Sequence, residues 1–111
     1  MQKLTIETRN INDMMILDLK GILDINSKGV LIQNFKSMYD DNYSRFLLNF
    51  AMVTRIDSSG VNSIIEIYDT VEGKDKEIVL YNLAEHVGKI LRFAQLHRFI
   101  TIKRNETEAI S

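Results

Sequence analysis

The sequence predicts an α/β domain with a mixed, mostly parallel sheet. Three observations predict it. Short apolar runs alternate with segments of helical periodicity, the pattern of strand–helix–strand units with parallel strands. Two alternating segments near the N-terminus are separated only by turn chemistry, which suits an antiparallel hairpin. The third is the stretch Phe46 to Val71, around which the chain is organised. There Phe46-Leu47-Leu48, closed by Asn49-Phe50, precedes Asp57-Ser58-Ser59-Gly60, and Val61, Ile64, Ile65, Tyr68 and Val71 follow at helical spacing. It reads as strand, short loop, hydroxyl-rich turn, helix.

Taken in order, Leu4, Ile6 and Thr8 alternate with Thr5, Glu7 and Arg9, a half-buried strand. Asn10 to Asp13 is a turn, and Met14 to Leu19 is a second, mostly covered strand. Gly21 permits a bulge or bend before Ile22-Leu23-Asp24. Asn26 and Ser27 are suited to cap a helix from Lys28 to Tyr39, with Leu31, Phe35 and Met38 inward. Gly73 stands where the cap of the central helix belongs. Glu77 to Tyr81 is a short buried strand. Asn82 with Glu85 resembles a capping box for a helix whose apolar stripe is Val87, Ile90, Leu91 and Ala94. Phe99 to Ile102 reads as the last strand, and Asn105 to Glu108 can start a short terminal helix. The order is therefore β-β-α-β-α-β-α-β with a possible final helical turn, and crossovers are expected to be right-handed.

Residues 1–111 are one domain by length, and 45% hydrophobic residues suffice for a core. The net charge of -1 lacks the basic skew of a nucleic-acid binder, and no polybasic cluster marks an anionic membrane partner. The absence of cysteine excludes disulfides and thiolate metal sites. No apolar run approaches the ~20 residues that span a bilayer, and the N-terminus lacks the apolar core of a secretion signal. A cytoplasmic protein without cofactor or metal is expected.

The hydroxyl turn has two readings. Helix starts favour Asp, Ser and Gly because their oxygens or small size suit the orphan N–H groups, so capping accounts for Asp57-Ser58-Ser59-Gly60. A serine at a helix start is equally suited to carry a phosphate, because the free N–H groups and the macrodipole favour an anion there. On the second reading Ser58 is a switch whose charge controls binding to another protein.

Nearly the full length resembles the STAS-domain family, the anti-sigma factor antagonists, which implies a single domain with helices packed mainly on one face of the sheet. The resemblance rests on Gly21-Ile22-Leu23-Asp24, Leu48-Asn49-Phe50, Val53 and Ile56 to Val61, and the final helix–strand pair. It implies that Ser58 is the residue phosphorylated by a serine kinase of the histidine-kinase-like ATPase type. The unphosphorylated form would bind that kinase, an anti-sigma factor, and so release a sigma factor; a phosphatase would reset it. It places Asp24 near the acceptor, Asp57 and Ser59 beside it, and Gly60 at a close backbone approach. Where relatives often carry a Gly-containing sequence after the turn, this chain has Asn62-Ser63.

Two further functions compete. A scaffold subunit would keep the fold without using the switch; a transporter tail is disfavoured because no span precedes the domain. A serine hydrolase would need an elbow motif that Ser58 lacks, and only His86 or His97 could serve it. The chain is expected not to be an enzyme. Both histidines read as surface or helix-end residues, and Arg55 as a solvated cation near the turn. Met1, Met14, Met15, Met38 and Met52 read as core filling. Lys103-Arg104 reads as a solvated edge.

Overall fold

The computed structural model describes residues 3–111; Met1 lies outside the described residues. Five strands form one sheet: β1 (Thr5–Ile11), β2 (Met14–Leu23), β3 (Arg45–Ile56), β4 (Glu77–Tyr81) and β5 (Thr101–Lys103). They lie side by side in sequence order. β1 and β2 run antiparallel across a two-residue turn, and every other pairing is parallel. Parallel neighbours need crossovers, and these are helices α1 (Lys28–Met38), α2 (Ser58–Val71) and α3 (Glu85–Phe93). A short α4 (Glu106–Ile110) ends the chain.

Side chains alternate across a strand, so each inner strand feeds two cores. Met15, Leu17, Leu19, Phe46, Leu48, Phe50, Ile78 and Leu80 join Leu31 and Phe35 of α1, Val61, Ile64 and Ile67 of α2, and Val87 and Leu91 of α3. Met14, Ile16, Leu47, Val79 and Tyr81 face the other way and are covered by Ala109 and Ile110. Three helices therefore share one face, and α4 alone covers the other. The continuous apolar runs of β2, β3 and β4 follow from this burial on both faces.

A polar network fastens α4. The Arg9 guanidinium donates to Asp18 at 2.7 and 2.9 Å and to Glu106 at 2.5 and 3.3 Å. Tyr81 Oη donates to Glu106 at 2.7 Å, and Asn49 Nδ2 to Asp18 at 2.9 Å. Hydrogen bonds from Arg9 hold the Asp18 and Glu106 carboxyls below the usual range. Burial, then the bond to Glu106, pushes the Tyr81 phenol up. Arg45 donates to the carbonyls of Ala109, Ile110 and Ser111, satisfying the orphan acceptors at the end of α4.

Several expectations change. The central strand does not stop at Phe50; β3 runs to Ile56, with Val53 and Ile56 inward. Asn82 does not cap α3. Its backbone is left-handed (φ 59°), its amide donates to Asn49 Oδ1 at 3.0 Å, and the helix starts at Glu85. The side chain is spent joining strand ends. Ile90 and Ala94 fall outside the buried stripe, which is Val87, Gly88 and Leu91: Ile90 lies on the side of Val87 away from Gly88 and Leu91, and the chain leaves the helix after Phe93 and turns at Gln95 (φ 64°). Helix α1 ends at Met38, one residue early, and Met38 is only half-buried. Phe99 precedes β5 rather than joining it, and its ring packs against Tyr68 at 4.9 Å. Met14 and Met15 fill the core as expected, but Met52 is 57% exposed, because its side of β3 has no helix over it.

Candidate functional site

Two turns meet at the C-terminal ends of β2 and β3. The backbone N–H of Asp57 donates to the carbonyl of Leu23 at 3.2 Å. Asp24 and Ser58 each follow one member of that bonded pair, so the two turns lie side by side.

The approach depends on Gly60. A Cβ there would lie 2.3 Å from the Leu23 carbonyl oxygen and 2.7 Å from Ile56 Cγ1. The start of α2 therefore rests on the end of β2 at backbone contact distance. Ser63 is fully buried one turn on and donates to the Gly60 carbonyl at 2.6 Å. The Asn62-Ser63 pair thus presents a small, satisfied side chain inward and an exposed asparagine outward.

Asp57 caps α2. Its Oδ1 accepts from Ser59 N at 2.9 Å and Gly60 N at 3.1 Å. Val61 N is taken by the Asp57 carbonyl. This revises the expectation of free N–H groups at the turn, because the aspartate occupies those of Ser59, Gly60 and Val61. Ser58 is exposed and Ser59 half-buried. Ser58 itself is not the cap.

Asp24 organises the neighbouring turn. Its carbonyl accepts from Ser27 N at 3.1 Å and Lys28 N at 2.9 Å, and its carboxylate from Asn26 N at 2.9 Å. Ser27 makes no side-chain cap to α1, contrary to expectation. Its buried hydroxyl instead donates to the Ile22 carbonyl at 2.7 Å and accepts from Asp24 N at 2.9 Å. Asn26 is exposed and caps nothing through its side chain.

Beside these turns a groove of about 590 Å3 runs between Ile22, Asp24, Ser27, Val30 and Arg55. Val30 is 45% exposed, and Ile25, in the Asp24 turn, is 65% exposed. Sequence reasoning missed both; an isoleucine inside an Asp-x-Asn-Ser turn was the available signal. Arg55 is exposed at the groove, as expected. His86 contacts the Thr54 carbonyl at 2.9 Å, so its ring is engaged at the backbone. Among the described residues no group of three or more His, Asp or Glu is placed to hold a metal. No helix among them is long and apolar enough to cross a membrane.

An exposed hydroxyl at a helix start, two exposed apolar side chains and a groove thus lie together at one end of the sheet. The chain belongs to the STAS domain family, whose model matches residues 5–109. Solved structures share the fold. The protein TM1081 from Thermotoga maritima is 22% identical, with 95% of this chain and 91% of that chain covered and a TM-score of 0.87. The unphosphorylated anti-sigma factor antagonist SpoIIAA is 17% identical over 96% of this chain and 93% of its own, with a TM-score of 0.72. Bacillus SpoIIAA is also known in a phosphorylated form, at 19% identity over 96% of each chain and a TM-score of 0.72. The murine anion transporter Slc26a9 carries the same fold as 18% of its chain, matching 92% of this one at 17% identity and a TM-score of 0.79. At these identities the likeness is one of fold.

Proposed function

We propose that this protein is an anti-sigma factor antagonist switched by phosphorylation at Ser58. Unphosphorylated, it binds an anti-sigma factor that is also a serine kinase of the histidine-kinase-like ATPase type, and so frees a sigma factor in the cytoplasm. Phosphorylation ends the complex and a phosphatase restores it. The chain itself catalyses nothing; ATP and magnesium belong to the kinase.

The observation that carries this reading is the exposed Ser58 at the head of α2, with the nearest helix amides already taken by Asp57. A phosphate adds about -1.5 to -2 charges at neutral pH. With those amides occupied, that charge faces the partner. Leaving it unpaired in an interface costs ~3–5 kcal/mol, on the order of 10²–10³-fold in affinity. Asp24, Asp57, Ser59 and Gly60 frame the acceptor, and Ile25 and Val30 give the partner apolar contacts. SpoIIAA, known in both phosphorylation states, supports the reading at the level of the family.

The test is incubation with the candidate kinase and ATP, followed by mapping of phosphate by mass spectrometry. Label on wild type and none on Ser58→Ala is expected; equal labelling of both would refute the assignment. The second reading, a scaffold with an unused switch, is favoured by the fold's presence inside Slc26a9. Recovery of only a large complex, without a kinase, would support it.

A further inference from the structure

Helix α3 buries Val87, Gly88 and Leu91. At about 100° per residue, Phe93 projects from the opposite side. It is 93% exposed, with Ile90 36% and Phe99 44% exposed around the same end of the helix. A phenylalanine in the middle of a solvent-facing side serves no core.

The charge around it is one-sided. Residues 89–99 hold Lys89, Arg92 and Arg98 and no acidic residue, a net +3. The rest of the chain holds eleven basic and fifteen acidic residues, a net -4, within a whole-chain balance of -1. Lys89 is paired only with Glu85, at 3.4 Å and highly exposed. Among the described residues Arg92 and Arg98 make no ion pair. Composition hid this, because the two halves cancel.

The position is also one-sided. Asp24 and Ser58 lie at the C-terminal ends of the parallel strands. Helix α3 starts at that end and runs back, so Phe93 lies at the other. The Tyr68–Phe99 contact agrees, since Tyr68 is ten residues, or about 15 Å of helix, beyond Ser58.

We infer that the Lys89–Phe99 end is a docking surface for an anionic lipid bilayer, with Phe93 entering the headgroup region and Lys89, Arg92 and Arg98 meeting the lipid charges. Cations beside protruding aromatic rings suit an interfacial layer, which needs no shaped pocket. The inference does not rest on the proposed switch.

The experiment is co-sedimentation of the full chain at low salt with two kinds of vesicle: phosphatidylcholine alone, and two parts phosphatidylcholine to one part phosphatidylglycerol. Excess binding to the anionic vesicles, weakening as salt screens it, is expected. Phe93→Ser and, separately, Arg98→Glu should each lower it about tenfold. Both positions are exposed, so unchanged thermal melting is expected of both variants. No excess on anionic vesicles, or wild-type binding by both variants, overturns the inference. Capture of soluble polyglutamate without vesicle binding also overturns it, in favour of an acidic protein partner.

Discussion

The Asp57 N–H and the Leu23 carbonyl are joined by a 3.2 Å hydrogen bond that binds the acceptor turn to the end of the neighbouring strand. Gly60 closes against the same carbonyl. Gly60→Ala therefore drives a methyl group into backbone on one side and Ile56 on the other. Overpacking of this kind costs about 1–3 kcal/mol. Denaturant unfolding should show a loss in that range, and labelling of Ser58 should fall with the displaced turn. A variant as stable as wild type would mean that the two turns are not held at this distance.

Asp57 is the cap, so its removal is separable from that of Ser58. Asp57→Ala should cost about 1 kcal/mol of stability, and Asp57→Asn, which keeps an acceptor, much less. Ser58→Ala, at an exposed position, should stay within about 0.5 kcal/mol. Equilibrium unfolding of the three variants checks the order. A larger loss for Ser58→Ala than for Asp57→Ala would reverse the roles.

Much of this was legible in the sequence because periodicity reports burial. The run Phe46-Leu47-Leu48 is apolar at every position because both faces of β3 are covered, and α2 shows a clean helical stripe because only one of its faces is. Asp57 was readable as a cap from its place before the stripe. Illegible were features set by tertiary partners. Asn82 and Ser27 have the chemistry of caps, but one bridges to Asn49 and the other is buried and bonded to the Ile22 carbonyl. The occupied amides at the head of α2 and the apolar rim of Ile25 and Val30 needed coordinates, since neither follows from spacing.

Ser27 is the internal support of the Asp24 turn. Ser27→Ala leaves the Asp24 N–H and the Ile22 carbonyl without their buried partner. The expected loss is about 1–3 kcal/mol. Amide hydrogen exchange at Asp24 should accelerate in the variant. Exchange at the wild-type rate would show that the turn is held from elsewhere.

Acid should loosen α4. The Asp18 and Glu106 carboxyls are depressed, chiefly by Arg9. Their contribution is present above the unfolded carboxylate values of about 4 and is lost as pH falls through the lower folded values. The groups are 30–40% exposed, so each pair is worth no more than about 1 kcal/mol after screening. Glu106→Gln should therefore be slightly less stable than wild type at neutral pH, with the gap closing in acid. A gap that widens in acid would contradict this account of the network.

The central claim is that charge at Ser58 governs partner binding while the fold stays intact. It is tested most directly by titrating one anti-sigma kinase with the protein stoichiometrically phosphorylated at Ser58 and with the unmodified protein. The account predicts an affinity lower by on the order of 10²–10³-fold for the phosphorylated form, with superimposable far-UV spectra. Equal affinity of the two forms would contradict it.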